Sequence, residues 1–593
     1  MLAQPSPKRF SLVLIKPSHY DDDGYVIQWL RSAIPSNTLA VLNGLALDCH
    51  QRRVLGDDVV IDISAVDETN TRIHPERIAR RIARGGGRGM IALVGVQTNQ
   101  FPRAMDIARR LRASGVQVCI GGFHVSGCLA MLPNTPPDMP PELKEALDLG
   151  ISLFAGEAEG RLETVLRDAW NGTLKPLYNY MDDLPSLEGA VIPILPAAQI
   201  KRTGGGITTF DAGRGCPFLC SFCTIINVQG RKSRRRSPDD IERIVRQNVA
   251  QGVHRFFITD DNFSRNADWE KILDRLADLR HKDKLVIKLV IQVDTMCHRL
   301  PHFIEKAARA GVVRVFIGIE NINPDSLTGA GKKQNKITEY RKMLLAWKHA
   351  GITTIAGYIL GFPSDTQESI ARDVKIIQRE LPVDLLQFFC MTPLPGSEDH
   401  QRLYMAGVPM DPDLNKYDVE HVTTPHPLMS KEQWQQAYRD AWAAFYSREH
   451  FETVMRRAEA TQSGPGKVLT QLIWSYCAVV LENVHPYQGG YLRRKYRKDR
   501  RPSLPVERPF LFYPRYVADV LYKHFKLAQA IWRYRPFAKN LRRDPAARNY
   551  TDVALTPVAD EEFDSLELFT ATDATKSAVM AMRGQTPLVK IRE

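Results

Sequence analysis

The chain is poor in cysteine: nine thiols in 593 residues. That is not the disulfide framework of a small secreted protein, and it fits a reducing compartment. No run of 18 apolar residues occurs, which argues against a membrane-spanning helix. The opening Met-Leu-Ala-Gln-Pro-Ser-Pro-Lys has neither the charged nor the apolar region of a secretory signal, so a cytoplasmic location is expected. No internal repeat is visible. The hydrophobic fraction of 44% and the charged fraction of 25% describe an ordinary globular chain. Its length exceeds what one core supports, so about two to four domains are expected.

Three of the few cysteines stand together, in Arg214-Gly-Cys-Pro-Phe-Leu-Cys-Ser-Phe-Cys. Cys216, Cys220 and Cys223 are spaced C-x3-C-x2-C, with the aromatic Phe222 before the third. Zinc motifs come as paired sets, and no second pair follows. Three thiolates on one loop suit a [4Fe–4S] cube and leave one iron without a protein ligand. This pattern resembles the radical S-adenosylmethionine (radical SAM) superfamily. The resemblance implies that the open iron grips the amino and carboxylate groups of S-adenosylmethionine. The cluster then cleaves it reductively to a 5′-deoxyadenosyl radical.

Hydrophobic periodicity gives the expected organisation. Strand-like stretches at 10–15, 59–63, 90–96, 116–120 and 151–155 alternate with helical patterns, as in a doubly wound α/β (Rossmann-type) domain over residues 1–175. In such domains ligands sit at the carboxyl ends of the strands. Those ends carry Thr98, the Gly121-Gly122 pair and Gly156-Glu157. The region resembles the cobalamin-binding domain that precedes many radical SAM barrels, so cobalamin is an expected cofactor and these five residues are expected to contact it. The D-x-H-x-x-G signature of base-off cobalamin binding is not matched. His19 lies near the right place, but the Asp and Gly offsets fail, which leaves the lower axial ligand open. The plain reading of His19 is a solvated loop residue.

A Pro-rich, acidic stretch at 176–200 reads as a linker. A second βα series over 201–425 has strands expected at 208–210, 255–259, 285–293, 314–319, 353–359 and 385–389. It suits the partial (β/α)6 barrel of the superfamily, with its chemistry at the carboxyl ends. Asp260 and Asp261 there are candidates for the S-adenosylmethionine amino group, and Glu320 for its ribose or methionine part. Gly357 and Gly361 resemble the strand that packs beside adenine, and Phe222 the aromatic near it. Cys390 reads as a buried, inert thiol. Five basic residues in the six from Arg231 to Arg236 are either an anion site or a solvated face.

The net charge of +13 comes mostly from residues 491–545, which hold 16 Lys/Arg against 4 Asp/Glu, interleaved with aromatics. A basic, mainly helical region is expected at 426–555 and a flexible tail at 556–593. Peripheral contact with an anionic membrane through 491–545 is the favoured special role there, ahead of nucleic acid, beside plain packing on the barrel.

The reading this supports is a radical SAM enzyme, with cobalamin, that methylates or otherwise modifies a small hydrophobic metabolite. It would draw electrons from a flavodoxin or ferredoxin. The alternative is a methylthiotransferase acting on tRNA or protein, whose second cluster would need Cys49, Cys119 and Cys128. A non-catalytic sensor is disfavoured by the intact cysteine triad.

Overall fold

Two parallel six-stranded sheets organise the chain. The computed structural model describes residues 7–133 and 139–584. In chain order the strands are β1 (Lys8–Lys16), β2 (Trp29–Ser32), β3 (Val59–Asp67), β4 (Gly89–Leu93), β5 (Gln117–Gly121), β6 (Ser152–Ala155) and β7 (Leu177–Asn179). They continue as β8 (Ile207–Phe210), β9 (Gly213–Arg214), β10 (Arg234–Arg235), β11 (Arg255–Ile258), β12 (Lys288–Val293) and β13 (Val312–Glu320). The last are β14 (Thr353–Leu360), β15 (Leu385–Cys390) and β16 (Gly490–Arg493).

The first sheet has the order β3-β1-β4-β5-β6-β7, every pair parallel. Its central strands read as continuous apolar runs because helices cover both faces. Phe10, Leu12 and Leu14 face one core and Val13 and Ile15 the other. Cys49 and Cys119 lie in the first of these cores and Cys128 in the second. The sheet therefore separates the three thiols that a second cluster would need, which counts against the methylthiotransferase alternative.

The second sheet runs β8-β11-β12-β13-β14-β15 in sequential order, all parallel. Helices such as Pro238–Ala250, Ile337–His349 and Gln367–Glu380 cover its outer face. The architecture is thus an α/β chain with a Rossmann-like sheet, a partial (β/α)6 barrel and a helical C-terminal region.

Three features depart from the sequence expectations. β7 continues the first sheet through residues assigned to the linker. β2 pairs antiparallel with β16, a strand 458 positions away in Gly490↔Ser32, tying the C-terminal region to the first sheet's loops. Residues expected to form a flexible tail hold the helices Glu567–Thr570 and Asp573–Gly584, and Leu568, Phe569 and Val579 are buried in the barrel's core. Residues 585–593 lie outside the described residues.

His421 is a charged tie between the first unit and the segment after the barrel. Its Nε2 is 3.1 Å from Asp22 Oδ1 and its Nδ1 2.8 Å from Asp418 Oδ2. Burial pulls its pKa down, but the two carboxylates outweigh that and raise it from 6.5 to about 10. A raised folded pKa adds stability that is complete below the unfolded value and fades above it. Denaturant stability is therefore expected to fall as pH rises from 6.5 through about 10. His421→Gln should flatten that slope, and an unchanged slope would show that the tie is not the cause.

Candidate active site

The carboxyl ends of the two sheets face one shared space. A cavity of about 590 Å³ is walled by Lys16, Ser18 and His19 after β1, by Gly95 and Gln97–Gln100 after β4, and by Phe123 after β5. Across it stand Thr224 and Ile225, the residues directly after Cys223, with Phe257 and Gln292 of the barrel. His485, Tyr487 and Gln488 of the C-terminal region close a third side. A second cavity of about 160 Å³ runs beside the first sheet along Gly121, Gly122, Gly156 and Glu157, sharing Asn37, Thr38, Gly95 and Phe123 with the larger one.

The cysteine loop is shaped by glycine. Gly215 has φ +92°, and a Cβ there would meet Lys232 O at 2.6 Å and Gly230 O at 2.8 Å. The Cys216 amide donates to Gly230 O at 3.2 Å, closing the loop on itself. The Cys223 amide donates to Cys220 O. Burial raises all three thiols, Cys223 to about 12. The three thiols lie near enough to act on one another's charge, and three thiolates on one loop suit a cluster with one open iron.

The two aspartates after β11 have separate roles. Asp260 accepts the backbone amides of Ala212 and Gly213 at 2.7 and 2.8 Å through one oxygen and Asn266 through the other. It is engaged in holding the cysteine loop. Asp261 keeps more freedom: a single long bond from the Gly215 amide at 3.3 Å. Burial lifts its pKa to about 7, and it lies close enough to Cys216 and Cys223 to bear on both.

Glu320 is ion-paired with Lys332, which the sequence reading missed. Lys332 also sits 5.7 Å from the Phe222 ring, and its charge acts on Cys220. Gln334 Nε2 lies 3.7 Å from Cys220 Sγ. The signal for both was present in Gly331-Lys-Lys-Gln334, but no pattern marks a turn that folds back onto a distant loop. Gly357 and Gly361 do not face open space. A Cβ on Gly357 would lie 2.8 Å from the Phe316 ring, and one on Gly361 1.8 Å from the Trp434 indole. These glycines make room for neighbouring rings of the protein.

On the first sheet, Thr98 is buried and bonded to His124 Nδ1 at 3.3 Å. Gly122, at φ +147°, passes so close to the next loop that a Cβ would meet Val96 N at 2.1 Å. A Cβ on Gly156 would meet the Tyr180 backbone at 2.9 Å. His19 is no solvated residue: it is 5% exposed on the cavity wall, and burial lowers its pKa to about 4, leaving a neutral imidazole. Cys390 is buried, as expected. The basic run is mostly engaged inside the protein. Arg234 pairs with Glu157, Arg235 with Asp268, and Arg236 is fully buried against Asp211, so the anion-site expectation is left with Arg231 and Lys232.

Glu157 belongs to a buried ion network. Arg214 Nη1 and Nη2 each lie 2.6 Å from a carboxylate, of Glu157 and Glu159, and its Nε 3.1 Å from Asp211. This places the loop after β6 directly on the cluster loop.

Residues 211–377 match the family model described as the radical SAM superfamily. The chain therefore carries a radical SAM domain. Such a domain makes it an enzyme whose cofactors are a [4Fe–4S] cluster and S-adenosylmethionine. It is 26% identical over 353 residues to a bacteriochlorophyllide d C-8(2)-methyltransferase of Chlorobaculum tepidum, covering 56% of this chain and 72% of that one. It is 25% identical to the hopanoid C-2 methylase of Rhodopseudomonas palustris, covering 57% and 62%. Among solved structures, the radical SAM methyltransferase TsrM of Kitasatospora setae, with cobalamin and a [4Fe–4S] cluster bound, superposes with TM-score 0.54 at 14% identity. The alignment covers 78% of this chain and 98% of that one, which is a likeness of fold.

Removing the Arg214 guanidinium leaves Glu159 without its cation and takes one of two from Glu157 and from Asp211, which keep Arg234 and Arg236. Arg214→Ala is expected to cost about 3–5 kcal/mol in denaturant unfolding, the range for breaking a buried pair. Arg231→Ala, on the exposed part of the same basic run, should stay within about 0.5 kcal/mol. Equal effects would remove the case for the network.

Proposed function

We propose that this enzyme methylates a small hydrophobic substrate, with a cluster held by Cys216, Cys220 and Cys223 and a cobalamin seated against the first sheet. One observation carries the reading: the cavity at the first sheet's strand ends is walled on its far side by Thr224 and Ile225, next to the third cysteine. The relatives named for bacteriochlorophyllide d and for hopanoid supply the reaction and the hydrophobic substrate class.

The residues present fit the proposed groups. Gly121 and Gly122 line the narrow cavity, and Asn37 Oδ1 and Glu159 Oε2 on its wall are buried acceptors without a protein donor. The amide side chains around a corrin ring supply such donors. When bound, cobalamin supplies a transferable methyl group, and the cluster with S-adenosylmethionine supplies the radical that abstracts hydrogen. Thr98 and His19 line the wall toward the first sheet and exclude water. Asp261 is the candidate to receive the ammonium group of S-adenosylmethionine; Asp260 holds the loop beneath it. Glu320, held by Lys332, stands ready for a hydroxyl of the same molecule. In this reading residues 1–175 hold the corrin, 201–425 run the radical chemistry, and a flavodoxin or ferredoxin delivers the electron.

Anaerobically reconstituted protein is expected to carry about four irons and one cobalamin per chain. Replacing Cys216, Cys220 and Cys223 with alanine should remove the iron and keep the cobalamin absorption. About eight irons without cobalamin would overturn the proposal and return the methylthiotransferase reading.

A second reading concerns where the substrate comes from. No described helix is long and apolar enough to cross a membrane. The stretch 491–502 is turned inward: Arg493 pairs with Asp21, Lys495 with Asp21 and Asp23, and Arg501 with Asp413. The helix Pro509–Arg543 is different. Phe510, Val517, Leu521, Phe525 and Trp532 recur at helical spacing and are 53–80% exposed. The same side continues into exposed Arg535, Lys539 and Arg542. An apolar stripe running into a basic end suits the surface of an anionic bilayer. The full chain should co-sediment with phosphatidylglycerol vesicles and not with phosphatidylcholine alone, and L521S/F525S/W532S should release it. Absence of binding, or a wild-type dimer that these substitutions split, would overturn membrane contact.

A further inference from the structure

Among the described residues, away from the cysteine triad, one group of side chains brings three potential metal ligands together. His124, Cys128 and Glu142 each place one ligand atom so that all three lie within 4.8 Å of one another. His124 and Cys128 are four residues apart on the helix Phe123–Met131, hence on one face. Glu142 comes from the first turn of the helix Pro141–Asp148. The imidazole is fully buried and the thiol 1% exposed.

The hydrogen bonding is incomplete in a way that points to a cation. His124 Nδ1 is bonded to Thr98 Oγ1 at 3.3 Å, and Phe101 packs on the ring at 4.4 Å, so the ring orientation is set from outside the group. Its Nε2 has no hydrogen-bond partner and lies 3.5 Å from Glu142 Oε1. In the tautomer whose Nδ1 donates to Thr98 Oγ1, Nε2 turns a lone pair toward the carboxylate and the thiol, the arrangement a metal ligand requires. His400, on the helix Glu398–Met405 that follows the last barrel strand, is 5% exposed, and its Nδ1 is buried without a partner.

We propose that His124, Cys128 and Glu142 bind one Zn²⁺ ion, with the buried His400 imidazole the candidate for a fourth ligand. Nitrogen, sulfur and oxygen donors in one small set suit zinc among the common divalent ions. Its bonds of about 2.0–2.3 Å to these donors ask for a small contraction of the present group. The ion would act by position. The helix bearing His124 and Cys128 also presents Phe123 and Ser126 to the narrow cavity. Its Gly127 lies against the loop after β15, where a Cβ would meet Pro395 O at 2.1 Å. Zinc at this junction would fasten the cavity wall to the barrel. Cys128, read at first as a possible second-cluster ligand, gains a different task.

The test is element analysis of the full chain expressed with zinc supplied. About one zinc per chain is expected in addition to iron and cobalt, and it should persist when Cys216, Cys220 and Cys223 are all alanine. In that same triple variant, Co²⁺ titration should give a thiolate-to-cobalt charge-transfer band. The band should be lost on adding Cys128→Ser and weakened by His124→Gln. The proposal fails if wild-type protein holds no zinc. It also fails if the zinc disappears with the triad cysteines, or if the cobalt spectrum is indifferent to Cys128→Ser. The zinc content of the wild type is read directly, so misfolding of a variant cannot rescue or sink it.

Discussion

The buried ion network around Arg214 is the constraint on which the active-site arrangement depends. Three guanidinium groups, of Arg214, Arg234 and Arg236, meet three carboxylates, of Asp211, Glu157 and Glu159. Two of those carboxylates come from the loop after β6 of the first sheet, and Asp211 from the strand end that begins the cluster loop. Charges this deep are costly to desolvate, and the set is tolerable only because both sides are present in matched number and geometry. If the sheets slid apart, charges would be left in apolar surroundings. The network therefore fixes the separation between the first sheet's carboxyl ends and the cysteine loop.

Around that fixed frame the cluster loop is held mostly by backbone. Asp260 takes two amides of the strand-to-loop turn, and Gly215 lets the chain pass within reach of two carbonyls. Side chains then grade the electrostatics. Asp261 and Glu320 are acidic, Lys332 and Arg265 basic, and all act on one or another of the three thiols. Net charge and hydrogen bonds to sulfur are what set a cluster's potential. The Lys332–Glu320 pair and the amide of Gln334 are thus the groups through which this chain would tune electron delivery.

Much of this was legible in the sequence, for identifiable reasons. Central parallel strands are apolar throughout, so β1, β4, β5 and the barrel strands stand out against amphipathic helices. The cysteine spacing is local and therefore readable. What stayed hidden depends on contacts between distant segments. Asp260 and Asp261 are neighbours of one residue type, and only the positions of the Ala212 and Gly213 amides tell scaffold from candidate ligand. Gly361 follows the same logic, since Trp434 lies 73 positions away. The basic run looked like a surface because its acidic partners Glu157, Asp211 and Asp268 are scattered over more than 100 residues. The pairing of β2 with β16 joins opposite ends of the chain and has no local signature.

The C-terminal region shows how the same composition can serve opposite ends. Residues 491–502 and 509–543 are both basic and aromatic, yet the first is an inward clamp and the second presents its apolar side to solvent. Acidic residues in Asp21-Asp-Asp23 explain the difference: they neutralise Arg493 and Lys495 and draw that strand onto the first sheet's loops. The long helix has no comparable partner for its stripe. Pro514 and Pro536 within it also remove amides that would pair with the carbonyls of Phe510 and Trp532. The helix is thereby weakened at the two ends of its apolar stripe, where an amphipathic segment gains most from adapting to a surface.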